Sequence, residues 1–280
     1  MPASPAADRL ELEAADAYCR ALTSGHYENF TVAAAFVDRL KRVDLMRIYA
    51  FCRTTDDLGD EHRDSLPLER LARWRSDVES LFAGRQPVHP VLVALRETVE
   101  RRALPPQPFL DLIAANVQDQ TVTHYADWPE LQAYCMLSAA PVGRMVLRVF
   151  GIDDPRAEAL SDDVCIGLQL ANHAQDVSRD AVIGRRYLLD RDVAALGISG
   201  AVRALVERAR TLLDSGRRLE PMAPTPLRLQ LALYRLGGLA ICDAIQRIGY
   251  QTENERPNVS AARKVGLVLR AALPSLVPQR

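Results

Sequence analysis

Apolar positions recur at three- and four-residue intervals from one end of the chain to the other, and no stretch alternates apolar and polar residues as a half-buried strand would. The pattern predicts an all-α protein. Breakers punctuate it at "EHRDSLP" (61–67), "GRQPVHP" (84–90), "ALPPQP" (103–108), "ADWPE" (126–130), "GIDDPR" (151–156), "AVIGRRYLLDRD" (181–192), "EPMAPTP" (220–226) and "TENERPN" (252–258). These divide the chain into about ten helical segments. Asp154-Pro155 reads as an N-cap followed by proline at the first helical position, which predicts one long helix over 155–180. No long flexible linker, fixed-period repeat or low-complexity segment intervenes. The reading is a single all-helical domain over 1–280, with 1–14 open to disorder and 272–280 a tail.

Two of these helices carry polar stripes where a core-facing helix should be plain. In "LQLANHAQDVSRD" (168–180), Gln169, Asn172, Asp176 and Asp180 fall on one helical face among Leu168, Leu170, Ala171, Ala174 and Val177. In "IYAFCRTTDDLGDEHRD" (48–64), Tyr49, Arg53, Asp56 and Asp60 do the same beside Ile48, Phe51 and Leu58. Carboxylates four residues apart on a helix repel, mildly in water and strongly in a cavity, where they must protonate or find cations. If the two stripes face each other, four carboxylates converge on one volume. Magnesium resolves the conflict: it takes hard oxygen ligands and keeps positions open for water and phosphate oxygens, so a bound diphosphate completes the site. Asn172 and Gln169 can order metal-bound water, and Arg53 can hold a phosphate oxygen. A single D-x-x-x-D is usually a solvated helix face; two with apolar flanks are harder to read that way.

Composition agrees with a globular chain that buries a core: 280 residues, 48% hydrophobic and 25% charged. Net charge is −1, from 35 basic and 36 acidic residues, and no basic block points to nucleic acid. The first residues, "MPASPAADRLELEAADAYC", lack the basic and apolar regions of a secretory signal, and no run of about 18 apolar residues suggests a membrane span. The expectation is a cytoplasmic protein, with peripheral contact to the inner membrane left open through a surface the sequence does not single out. The five cysteines, Cys19, Cys52, Cys135, Cys165 and Cys242, are scattered and read as reduced, mostly buried small hydrophobes.

With those residues in view, the chain resembles the squalene/phytoene synthases, the head-to-head trans-isoprenyl diphosphate synthases. The resemblance rests on "IYAFCRTTDDLGDE", the tyrosine-containing "YCMLSAAPVGRMVLRVFG" (134–151), "N-x-x-x-D-V-x-x-D" and "GRRYL", in the family's order over roughly residues 15–260. "GHYENF" (25–30) and "SAAPVGR" (138–144) look like the hydroxysqualene synthase branch, the HpnC-type enzymes of bacterial hopanoid pathways. The chain departs from the pattern at His173 and Ala174, where bulkier apolar residues are usual, and at Leu189, which stands where a proline often follows "YL".

The resemblance implies an isoprenoid synthase bundle around a central cavity and a magnesium-dependent lyase. This enzyme converts presqualene diphosphate to hydroxysqualene without a nicotinamide cofactor. Asp56, Asp60, Asp176 and Asp180 would hold Mg2+, with Asn172 as a further ligand or water anchor. Arg53 and Arg185 would contact diphosphate, with Arg186 a weaker candidate; Arg144 would do so unless it pairs structurally near Pro141. Tyr134 would stabilise cationic character or shuttle a proton, unless it is simply bonded to backbone. Tyr27, Glu28 and Asn29 would position the quenching water, or "YENF" is a turn that packs Phe30. Tyr49, Gln169, Phe30 and Tyr187 would line the substrate. His173 lies about 100° from Asn172 and is expected to pack rather than bind metal. Two alternatives stay open: a transferase condensing two farnesyl diphosphates to presqualene diphosphate, squalene or dehydrosqualene, and a non-catalytic assembly or binding protein. Other enzymes of the pathway are conceivable partners.

Overall fold

The structure, a computed structural model, describes residues 5–24, 37–60 and 66–272. Tyr27, Glu28, Asn29 and Phe30 lie outside the described residues, as does the side chain of Asp60. The described residues are helical without a strand; Tyr125 and Leu189 form an isolated parallel bridge. They divide into two compact units, Met1–Thr121 with Met145–Ile152, and Val122–Arg144 with Asp153–Arg280.

The first unit holds α1 (Pro5–Thr23), α2 (Arg39–Asp60), α3 (Pro67–Phe82), α4 (Pro90–Arg102) and α5 (Gln107–Gln118). Helix α1 runs from Pro5, and Ala15 and Cys19 bury one side of it. Proline at the first turn opens α3, α4 and α5, because its missing N–H would be unpaired there anyway. The core centres on Phe51 of α2, whose ring lies 5.6 Å from Trp74 and 5.0 Å from Phe109. Trp74 Nε1 donates to Thr55 Oγ1 at 2.9 Å, so the indole buries no orphan donor. A buried ionic network ties α2 to its neighbours. Asp44, with no exposed surface, accepts from Thr98 Oγ1 (2.9 Å), Arg101 (2.8 Å) and Arg102 (2.8 Å). Arg47 reaches the other way, donating to Asp16 of α1 at 2.7 and 2.9 Å.

The second unit holds α6 (Trp128–Ser138), the start of α7 (Ala140–Val149), α8 (Pro155–Gln175), α9 (Val177–Val182), α10 (Asp190–Leu219), a 3-10 turn (Glu220–Met222), α11 (Thr225–Arg247) and α12 (Ala261–Ala272). Asp127 and Asp154 cap α6 and α8 by accepting from Glu130 N and Arg156 N. α8 is the buried axis of this unit. A Cβ added at Gly167 would lie 3.0 Å from Leu213 N and 3.1 Å from Ala209 O, so the α8 and α10 backbones meet where only glycine fits.

One expectation is corrected here. Residues 155–180 are two helices, not one: α8 stops at Gln175, Asp176 takes φ −100° and ψ 15°, and α9 follows. The cause is tertiary. Gln175 Nε2 donates to Pro257 O at 2.7 Å, and Arg256 donates to both Gln175 Oε1 (3.3 Å) and the Asp176 carboxylate. The segment after α11 thus clamps the chain at the bend. Backbone bonding nonetheless carries across it, with Asp176 N bonded to Asn172 O and Asp180 N to Asp176 O, both 2.9 Å.

Candidate active site

In the first unit the acidic stripe sits on the last two turns of α2. Asn116 of α5 donates Nδ2 to Asp56 Oδ1 at 3.2 Å, and Gln120 Nε2 donates to Gly59 O at 3.2 Å. Gly59 makes this approach possible: a Cβ there would sit 2.6 Å from Asn116 Oδ1. Asn116 and Gln120 were not visible in the sequence, since an amide on a neighbouring helix carries no spacing signal. Arg53 ion-pairs with Asp57 at 2.7 Å, on its own helix, while both side chains keep about a third of their surface exposed. Tyr49 is half-buried one turn earlier, and burial raises its pKa.

In the second unit the other stripe is bent by the α8–α9 break. Asn172 is exposed near the end of α8, Asp176 stands at the break, and Asp180 lies in α9. Burial, and then the neighbouring Asp176 charge, push the Asp180 carboxyl up to about 6, against a lowering by Arg185. The Asp176 share of that shift is the repulsion the spacing predicts. Asp176 is relieved by Arg256, whose second nitrogen stands 3.3 Å from Asp176 Oδ2. Arg256 is the residue the sequence reading missed; "TENERPN" registered there as a turn alone.

Asp180, Arg185, Arg186, Tyr187, His173 and Glu253 line a cavity of about 420 Å3. Tyr187 is nearly buried and central to a ring cluster. His173 stacks on it at 3.6 Å and 13°, Tyr134 lies 5.8 Å away and Tyr125 5.9 Å. His173 therefore packs, as its angular position predicts. Its Nε2 is buried without a partner, and burial pushes its pKa down to about 3 although Asp176 pulls the other way. Gln169 faces α6, exchanging hydrogen bonds with Ser138 Oγ at 2.8 and 3.0 Å. Arg144 takes the structural alternative: it donates to both Asp162 oxygens (3.0 and 2.7 Å) and stands 3.4 Å from Glu158. Arg186 pairs with Asp190.

Among the described residues no three of His, Cys, Asp and Glu form a ready-made metal cage. A site that shares magnesium with a substrate's phosphates needs none, because one or two carboxylates suffice and phosphate oxygens supply the rest. Asp176 and Asp180, one helical turn apart, have the oxygen donors for that arrangement.

The squalene/phytoene synthase family model matches residues 23–263. A hydroxysqualene synthase of Rhodopseudomonas palustris is 35% identical over 75% of this chain and 73% of its own length. A phytoene synthase of Arthrospira platensis is 33% identical over 88% of this chain and 89% of its own. Among solved structures, squalene synthase HpnC from Alicyclobacillus acidocaldarius superposes with a TM-score of 0.81 at 42% identity, over 86% of this chain and 96% of that one. A dehydrosqualene synthase shares the fold, with a TM-score of 0.83 at 21% identity over 96% of this chain and 99% of that one. The chain belongs to the squalene/phytoene synthase family.

Proposed function

We propose that the chain is a magnesium-dependent hydroxysqualene synthase, which ionises presqualene diphosphate, lets the carbocation rearrange and quenches it with water. The observation that carries the reading is Asp180, a half-buried carboxylate whose pKa is raised by its own burial and by the Asp176 charge, on the wall of a cavity that Arg185 also lines. Asp56 and Asp60 from one stripe, and Asn172, Asp176 and Asp180 from the other, would hold magnesium. Bound magnesium would supply neutralisation of the diphosphate leaving group's charge.

The remaining work falls to the chain itself. Arg53 and Arg185 bind phosphate oxygens, Arg53 by exchanging its exposed pair with Asp57. Arg256 holds Asp176 in place at the bend. Tyr187 on the cavity wall, and Tyr134 with its ring 5.8 Å away, are assigned to stabilising cationic character, and their burial keeps bulk water out. Tyr27 and Asn29 are assigned to the quenching water on the strength of "GHYENF".

The branch assignment draws support from the relatives named hydroxysqualene synthase and squalene synthase HpnC. The phytoene synthase similarity covers more of the chain and favours a second reading, condensation of two isoprenyl diphosphates. Purified protein supplied with presqualene diphosphate and magnesium, without NADPH, separates them. Hydroxysqualene is expected; turnover that begins only when farnesyl or geranylgeranyl diphosphate is supplied favours condensation.

A further inference from the structure

The second unit brings four arginines from three helices to one small cavity. Arg217 comes from the last turn of α10, Arg228 from the first turn of α11, Arg235 from its middle and Arg270 from the last turn of α12. With Glu220 and otherwise apolar side chains they line about 210 Å3, and no residue is shared with the cavity at Asp180. Four guanidiniums thus meet one carboxylate. Glu220 is spent on Arg235, whose Nε donates to it at 2.6 Å. The Arg235 side chain is 8% exposed. Its two terminal nitrogens have no acceptor among the described residues and are not closed in by protein, so they face the space of the cavity. Arg228 donates Nε and Nη2 to Glu220 O and Ala223 O, both at 3.1 Å, which satisfies hydrogen bonds without cancelling its charge. Arg217 pairs with Asp214 on the surface of its own helix, and Arg270 has no partner among the described residues. The carboxyl ends of α10 and α12 return only part of a charge each. The first turn of α11 carries neither an acid nor a side-chain cap, so its positive end adds to the excess.

We propose that this cavity binds a small multivalent phosphate-type oxyanion, phosphate or diphosphate in size, on the terminal nitrogens of Arg235, with Arg217 and Arg270 completing its coordination. A buried guanidinium with unused N–H groups is costly unless something accepts from them. Its planar fork matches two oxygens of one phosphate group, which a halide or a lone water does not offer. Charge and size narrow the occupant. Three arginines in excess over the one carboxylate call for more than a single negative charge, so a monovalent phosphodiester is a poor match. A cavity of this volume takes a bare oxyanion, whereas an organic ligand of nucleotide size needs a larger one. Bound there, the ion would tie the end of α10 to α11 and the end of α12 through charge-assisted hydrogen bonds.

The test is isothermal titration of the full-length protein in metal-free buffer with sodium diphosphate, inorganic phosphate and the diester glycerophosphoglycerol. Saturable binding of diphosphate is expected, with phosphate weaker and the diester weakest. Diphosphate affinity should fall about tenfold in Arg217→Gln and again in Arg270→Gln, each losing one charge-assisted contact. It should be unchanged in Arg185→Gln, which reports on any ion held in the Asp180 cavity. Arg217 and Arg270 are both exposed, and unfolding temperatures equal to wild type without ligand would show that their variants are folded. Three results overturn the proposal: no saturable binding of diphosphate, binding that Arg185→Gln abolishes and the Arg217 and Arg270 variants keep, or equal affinity for the diester.

Discussion

Asp180 is the residue on which the chemistry can be tested without a substrate. Its folded-state pKa is raised to about 6, so the folded chain holds that proton more tightly than the unfolded one. The corresponding stability is fully present below the unfolded value near 4 and is lost as pH rises through about 6. His173 acts with the opposite sign. Its depressed pKa gives stability present above about 6.5 and lost as the solution is acidified toward about 3. The two overlap, so the informative quantity is a difference. Without metal, Asp180→Asn should gain stability relative to wild type as pH rises from 4 to 7, read by urea unfolding. Magnesium with inorganic diphosphate should shrink that gain by stabilising wild type alone. Turnover of Asp180→Asn should fall by about 10²-fold or more, since even outer-shell partners of a metal site cost 10–100-fold. A variant whose stability tracks wild type at every pH would show that Asp180 carries no electrostatic strain.

At the scale of elements, what was legible in the sequence is what is locally encoded. Pro67, Pro90, Pro155 and the capping Asp127 and Asp154 start helices through their own dihedrals and side chains, so the helix boundaries follow from short windows. The α8–α9 break was not legible, because residues 175–180 contain no breaker and the bend is imposed by Arg256 and Pro257 from 80 residues away. Asp44 was hidden for the same reason: on paper it is one more acid in a helix, and its partners sit on another. Each bond has a measurable consequence. Arg256→Gln should cost about 1–3 kcal/mol in urea unfolding, the loss of a charge-assisted pair at a part-buried site. Asp44→Ala, which strands Arg102 and leaves Arg101 only its longer pair with Glu97, should cost about 3 kcal/mol or more. Asp44→Asn should cost less, because it retains an acceptor for Thr98. Equal losses in the two Asp44 variants would mean that the charge accounts for the whole loss and the acceptor for Thr98 contributes nothing.

For the molecule as a whole, the two acidic stripes belong to different compact units, with Asp56 in one and Asp176 and Asp180 in the other. Their common spacing was legible in the sequence, and the proposed mechanism assigns both to the same diphosphate. A kinetic double-mutant cycle decides whether the task is shared. Asp56→Asn and Asp176→Asn should each lower kcat/KM by about 10²-fold or more. If both stripes serve the same ionisation step, removing the first disables a unit that the second can no longer help. The double variant should then be little worse than the poorer single one, as groups that act together are strongly non-additive. If each stripe serves a separate step or a separate ligand, the losses multiply and the double variant falls by about 10⁴-fold. Asn116→Ala is a control within the first unit. It removes the amide that holds Asp56 and should reproduce part of the Asp56 loss in the wild-type background, yet change nothing further once Asp56 is asparagine. Multiplicative losses across the Asp56/Asp176 cycle would mean that the two stripes act independently.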